Sequence, residues 1–220
     1  MKKLILAGAV AALLSACAGI GGMLGGGNSQ VTALSAKSTE LTVDIAISLD
    51  ASAKSYVDVL DAVGNKTEAE RIKAETANLR DEKDKEKLEA AMGMLNEVDI
   101  TAQLESAEEL SDEGKGKIAE AILYLGIAVF YDGKAGKDAK DLVTEAKDVL
   151  SNLSASDALA VGEVNNIITN ATWVADMAPN QLSLQQKSFE GLKAMLLLMA
   201  LKSRAWKKLK RRPNLLVENN

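Results

Sequence analysis

Histidine and cysteine, two residue types that often carry catalytic or metal-binding chemistry, are almost absent from this chain. Its 220 residues include one cysteine, Cys17, and no histidine. The absence of histidine excludes Ser-His-Asp and Cys-His catalysis, His-ligated zinc and the Glu-x-x-His di-iron bundle. A single cysteine also excludes an internal disulfide and a cysteine-cluster metal site. We therefore expect neither a metal ion nor a cofactor.

One lysine lies among glycines, as in a phosphate-binding loop. The segment Gly133-Lys134-Ala135-Gly136-Lys137-Asp138 has the wrong spacing, however, and it ends in Asp where Ser or Thr would hold magnesium. We interpret residues 132–136 as a turn instead. Carboxylate pairs such as Asp112-Glu113 lie in polar stretches where nothing in the sequence indicates a raised pKa. These patterns predict that the protein is not an enzyme.

The residues before Cys17 have the three parts of a secretory signal peptide. Met1-Lys2-Lys3 is a positively charged start, residues 4–14 are almost wholly apolar, and Ser15-Ala16 are small. The apolar run is too short to span a membrane. We predict that residues 1–16 are a signal peptide, which is removed by cleavage between Ala16 and Cys17.

The segment Leu14-Ser15-Ala16-Cys17 resembles the lipobox of bacterial lipoproteins. The resemblance implies that Cys17 becomes the mature N-terminus and carries a thioether-linked diacylglycerol and an amine acylated with a chain such as palmitate. Two or three buried acyl chains anchor a protein stably, whereas one is marginal. Because Ala18 rather than Asp follows Cys17, the resemblance implies the outer membrane, facing the periplasm, of a Gram-negative host.

The rest of the chain divides into three segments by composition. Residues 17–30 hold six of the 16 glycines, so we expect a flexible tether after the lipidated cysteine. Residues 31–201 are predicted to form the helical bundle domain. Residues 202–220 are the basic end of the last helix and a tail.

The body has the composition and periodicity of an all-α protein. Aromatic residues make up 3% of the chain and there are only 2 prolines, which favours helices over a sandwich or barrel. Apolar residues recur at three- and four-residue steps, so we predict a bundle of five to seven amphipathic helices. We expect corners at residues 132–136 and at Pro179, and a last helix from Gln181 to Arg212. Within it, residues 194–201 are expected to be buried on nearly all sides. The earlier helices are predicted over residues 31–63, 67–95, 98–110, 117–131, 137–153 and about 156–176.

Two of these helices look like a single tetratricopeptide helix pair. The match rests on Leu125, Gly126, Ala128, Ala139 and Ala146. In that family small residues let two antiparallel helices approach closely, and stacked pairs form a groove for peptides. No second copy follows at a period of about 34 residues. An ordinary close-packed hairpin is the alternative.

The C-terminal end is strongly basic, although the chain has 31 acidic and 26 basic residues. We predict that this end meets anionic lipid headgroups, lipopolysaccharide phosphates or an acidic partner. Pairing with the protein's own acidic body is the alternative. Nucleic acid is excluded as a partner by the predicted compartment and by the acidic body. The residues concerned are Lys202, Arg204, Trp206, Lys207, Lys208, Lys210, Arg211 and Arg212.

Two hypotheses about function follow from the sequence. In the first, the protein is attached to the membrane through acylated Cys17, and its helical body acts as a docking, assembly or structural binding protein for an envelope protein. In the second, the bundle carries an apolar or lipid ligand, because methionine side chains adapt well to irregular ligands. The methionines that would enclose it are Met92, Met94, Met195 and Met199.

The predicted anchor is tested by Cys17→Ser. Because the thioether forms on the cysteine sulfur, this variant should remain an unprocessed precursor that incorporates no palmitate in metabolic labelling. Labelling equal to that of the wild type would show that Cys17 is not the lipidated residue.

Overall fold

The fold consists of three long helices and a set of short ones. The computed structural model describes residues 29–105, 110–154 and 157–210, with side chains described up to residue 197. Within these ranges every regular element is helical, so the predicted all-α class is confirmed. The helices are α1 (Ser29–Ala62), α2 (Lys66–Glu75), α3 (Lys85–Asn96), α4 (Ile100–Glu105), α5 (Asp112–Asn152) and α6 (Ala158–Lys210), with a 3-10 turn at Leu79–Asp81.

The long helices α1, α5 and α6 pack through seams with alternating three- and four-residue steps. Such spacing keeps one stripe of a helix facing its partners along its whole length. On α5 the seam runs without a break through residues 114–146. Its members are Gly114, Ile118, Ala121, Leu125, Ala128, Asp132, Ala135, Ala139, Leu142 and Ala146, all of them buried.

Most seam residues are small, and the helix backbones therefore come close together. A Cβ placed on Gly136 of α5 would lie 3.3 Å from Ala178 Cβ of α6. A Cβ on Gly114 would lie 3.1 Å from the carbonyl oxygen of Ala62 at the end of α1. Interaxial distances between helices depend on the side chains at the contact, so alanine, serine and glycine permit this approach.

Contacts along the long helices fix their relative directions. Lys37 of α1 pairs with Glu145 of α5, and Asp61 pairs with Lys117 at 2.7 Å, so α1 and α5 are antiparallel. The Asn170 amide of α6 donates to the hydroxyls of Ser38 and Thr42 (2.7 and 3.2 Å). Further along both helices the amide of Gln185 lies against Ser48 and Ser52 of α1, so α1 and α6 are parallel.

The segment between α1 and α5 covers a second face of α1. Gly64, with φ of +83°, and Asn78, with φ of 70°, turn the chain there. Large apolar side chains anchor this segment in the same core as the long helices. Those with at most 5% exposure are Ile72, Leu79, Leu88, Leu95, Ile100, Leu104 and Leu110.

The predicted turn at residues 132–136 is wrong, because α5 continues through it. Considered by themselves, Gly133 and Gly136 indicate a turn. The seam spacing, however, passes unchanged through Asp132, Ala135 and Ala139, and burying a continuous stripe outweighs the cost of about 1 kcal/mol per helical glycine. The hairpin between residues 119 and 150, and with it the tetratricopeptide-like pairing, is therefore absent.

The predicted corner at Pro179 is also wrong, because Pro179 lies inside α6. Proline removes one backbone N–H, so the carbonyl of Ala175 has no helical partner. On either side the seam residues Ala178, Gln181 and Gln185 are buried against α1 and α5. Tertiary packing thus keeps the helix continuous where local preference would end it.

The helix predicted over residues 67–95 is divided into α2, a 3-10 turn and α3. Asp84 begins α3 by accepting a hydrogen bond from the Glu86 N–H at 3.0 Å, so the charged run expected on a helix surface contains a helix start. Part of the run contacts α6. Lys85 Nζ lies 5.4 Å from the centre of the Trp173 ring, and the Trp173 indole donates to Glu89.

The apolar run 194–201 is not buried on all sides as expected. Among its described side chains, Met195 and Leu196 pack partly against the core, whereas Leu197 is 64% exposed. In the described part of the chain, no helix has the length and apolar character needed to cross a membrane.

The continuity of α5 is tested by Gly133→Ala. A Cβ at Gly133 meets nothing within 4 Å, so the substitution should raise the free energy of unfolding by about 0.5–1 kcal/mol in urea titrations of the mature body. Gly136→Ala is the matched control and should gain less, because its Cβ must fit against Ala178. A stability loss in Gly133→Ala would instead indicate a left-handed turn at that position.

Candidate functional site

The outer face of α5 carries large apolar side chains that no other described residue covers. Leu123 and Phe130 are each 64% exposed, and Ile127 is 36% exposed. Steps of four and three residues place them on one face of the helix. We call these three residues the α5 apolar strip.

The strip borders a cleft between α5 and α6. The cleft has a volume of about 400 Å³ and is open to solvent, and Phe189 of α6 forms its opposite wall. The rings of Phe130 and Tyr131 meet edge to face, with centroids 5.4 Å apart and planes at 87°. Lys193 Nζ lies 5.1 Å from the centre of the Phe189 ring, so a positive charge borders the apolar surface.

The arrangement of the strip distinguishes it from ordinary surface apolarity. Scattered single apolar residues are common on protein surfaces, whereas contiguous patches with a polar border mark interaction sites. Here apolar side chains of two helices line a single cleft. The cleft can therefore accept an apolar side chain or an apolar helix face from a partner.

Lys134, which the sequence places in a loop resembling a phosphate site, is held in ion pairs. Its Nζ lies 2.6 Å from Asp44 Oδ2 and 2.8 Å from Glu40 Oε1, both on α1. Burial raises the pKa of Asp44, and the hydrogen bond and charge of Lys134 oppose that rise. Lys134 therefore joins α1 to α5 and is not available to a phosphate.

Among the carboxylates at the surface of the bundle, Asp58 has the properties closest to those of an acid–base catalyst. Burial, followed by the charge of Glu120, raises the pKa of Asp58 to about 6, and Lys117 opposes the rise. No nucleophile or second shifted acid accompanies it among the described contacts. Within the described ranges there is also no group of three or more Cys, Asp or Glu side chains arranged to hold a metal ion.

The residues of the predicted hairpin all lie on one continuous helix. Leu125, Ala128, Ala139 and Ala146 are fully buried in the α5 seam, where they pack lengthwise against the other long helices. Gly126 faces the cleft instead, and a Cβ there would lie 3.7 Å from the Phe189 ring. The small residues thus serve close helix packing along a bundle, and no second helix folds back on them.

The predicted anchor lies outside the described residues, and the predicted basic surface lies partly outside them. Ala16 and Cys17 precede the described range, and Arg211 and Arg212 follow it. Residues 202–210 are helical as the end of α6, but their side chains are not described. The lipid anchor and the anionic-surface site therefore stay predictions.

The α5 apolar strip was missed by the sequence reasoning, although a signal for it was present. In the helix predicted over residues 117–131, Ile118 and Leu125 are fully buried, and Ile122 packs partly against the core. Leu123, Ile127 and Phe130 form a second apolar stripe with helical spacing on the same segment. Two stripes on one helix indicate two apolar faces, and the bundle covers only one of them.

Comparisons with known proteins give this chain no relatives. No protein-family model matches it, and neither curated proteins nor solved structures show significant similarity.

Proposed function

We propose that this protein is a lipid-anchored protein of the outer membrane, facing the periplasm, whose helical body docks an envelope protein through the α5 apolar strip. The observation that carries the docking function is the exposure of Leu123, Ile127 and Phe130 beside an open apolar cleft. The anchor rests on the lipobox resemblance at Cys17.

The form of the site supports a protein as the partner. A cleft between two helices, lined by residues at helical spacing, is suited to receiving the apolar face of a third helix. Aromatic side chains are enriched in interface centres, and here Phe130, Tyr131 and Phe189 surround the cleft. A large side chain inserted between them would lose its contact with water on several sides at once.

The alternative function, carriage of an apolar ligand, has less support. Met94 is buried in the main core, and Met92 and Met195 pack partly against it. These methionines therefore fill space between helices. The clefts beside the strip and near Pro179 are open, and an enclosed apolar chamber would suit a carrier better.

The proposed anchor and the basic end of α6 would lie at opposite ends of the bundle. Because α1 and α6 are parallel, the start of α1, which follows Cys17 by 12 residues in the sequence, lies near the level of the start of α6. From Asn170, which contacts Ser38, α6 continues for 40 residues to Lys210, about 60 Å of helix. If the bundle stands upright on the membrane, the basic end points away from the anchoring leaflet, toward a distal anionic surface or an acidic partner.

Docking through the strip is tested by site-specific photo-crosslinking in the intact envelope. A photoreactive residue replaces Phe130 in one variant and Leu159 in the control, since Leu159 is 92% exposed near the start of α6 and away from the cleft. We expect one recurrent protein adduct at position 130 and none at position 159. In binding assays with that partner, Phe130→Ala should weaken affinity about 10- to 30-fold, as for an aromatic at an interface centre.

Two outcomes would contradict the proposed docking function. Adducts that contain lipid but no protein would favour the carrier. Equal protein adducts at positions 130 and 159 would show that contact with the strip is not selective.

A further inference from the structure

A buried carboxylate lies at the centre of the three long helices. Asp132 occupies a seam position of α5 between Ala128 and Ala135, and it is 1% exposed. Neither of its carboxylate oxygens has a direct hydrogen-bond partner. Burying an ionised carboxylate without a partner is very costly, so this position requires compensation.

The polar side chains around Asp132 donate their hydrogen bonds to other groups. Gln185 Nε2 of α6 donates to Ser48 Oγ at 3.1 Å and to Ser52 Oγ at 2.9 Å, both on α1. The Ser48 hydroxyl donates to the Ala128 carbonyl at 3.2 Å. The side-chain oxygens of Gln185 and Gln181 are buried and accept no hydrogen bond. The layer therefore contains more acceptors than donors.

No charged side chain compensates Asp132. On α1 the buried carboxylate is Asp44, whose charge is paired with Lys134 of α5 at 2.6 Å. On α6 the facing side chains are the uncharged amides of Gln181 and Gln185. Lys137, Lys140 and Asp141 of α5 border the cleft beside Asp132. None of these charges contributes to the shift of Asp132, whose pKa burial raises to about 7 against the opposing effect of Ser48 and Gln185.

We propose that Asp132 is a proton-binding latch: the three long helices close around its neutral, protonated carboxyl, and loss of that proton loosens the contact between α5 and α6. The bound proton removes the buried charge and turns one carboxyl oxygen into a donor. Gln185 is close enough to Asp132 to oppose the rise in its pKa, and it offers an amide oxygen that lacks a donor. One proton thus corrects both the charge and the excess of acceptors.

The structure also provides a place where the latch can open. A cleft of about 400 Å³ between α5 and α6 reaches Asp132 and is lined by Gly133, Gly136, Pro179 and Leu182. Because Pro179 has no backbone N–H, α6 lacks one helical hydrogen bond beside this cleft. Water can therefore solvate an ionised Asp132 if the two helices separate slightly at the cleft.

The sign of the pH dependence follows from proton linkage. The folded protein holds the Asp132 proton up to about pH 7, whereas the unfolded chain loses it near pH 4, the ordinary pKa of aspartate. Between these values the folded state binds one proton more than the unfolded state, so its stability falls as pH rises. The contribution of Asp132 is fully present below about pH 4 and is lost by about pH 7, with the unfolding constant rising about tenfold per pH unit.

The test compares the wild type with Asp132→Asn, which mimics the neutral carboxyl. The unfolding constants of both proteins are measured in urea at several pH values. As the pH rises from 5 to 7.5, the ratio of the wild-type constant to that of Asp132→Asn should increase roughly 50- to 100-fold. Asp58→Asn is the matched control, since it removes another raised carboxylate but leaves this layer intact. In the wild type, the protection factors of the amides around residues 128–136 and 178–186 should fall above pH 7, and they should stay constant in Asp132→Asn.

A direct titration covers the case in which Asp132→Asn does not fold. Carbon-13 NMR of the wild-type side-chain carboxyls should show one aspartate titrating near pH 7. Selective isotope labelling, or broadening by a nearby spin label, assigns that signal to Asp132. A value for Asp132 below pH 5 would overturn the latch. Stabilisation of the wild type at pH 8 by sodium or potassium at constant ionic strength would also overturn it, because a metal cation would then be the compensating charge.

Discussion

The structure depends on close packing of three long helices through seams of small residues. Alanine buries little apolar area, so each contact contributes less than a leucine contact would. The helices compensate through length: α1, α5 and α6 have 34, 41 and 53 residues. An interruption in α5 would end the seam half-way along the bundle. This explains why the chain continues as helix through Gly133 and, in α6, through Pro179.

The same constraint accounts for the polar layer and for the apolar strip of α5. Small residues point inward, and the narrow seam has room for Ser48, Gln185 and Asp132 in one polar layer. Large apolar residues such as Leu123 and Phe130 consequently lie on the outer face, where 64% of each remains exposed. The buried face of α5 is rich in alanine, and the exposed face carries leucine, isoleucine and phenylalanine, a distribution that supports the proposed docking function.

Much of the fold could be predicted from the sequence because helical periodicity is a local signal. The first helix was expected over residues 31–63 and is found at Ser29–Ala62. The continuity of α5 and α6 was missed because glycine and proline indicate only the local preference for a turn. The packing of each seam against other helices outweighs that preference, and it is not visible in a local pattern. The second apolar stripe at Leu123, Ile127 and Phe130 has helical spacing in the sequence, but the sequence does not show which stripe the other helices cover. The burial of Asp132 could not be predicted for the same reason.

The continuity of α5 is tested most directly by a distance between its two ends. Glu113 and Ser151 are both exposed, and in a Cys17→Ser background cysteines at these two positions are the only sites for spin labels. For one continuous helix, pulsed electron–electron double resonance should give a distribution of label-to-label distances centred near 57 Å, since 38 residues rise about 1.5 Å each. A distribution within about 20 Å would mean that the chain folds back at residues 132–136 as a hairpin, and it would contradict the bundle described here.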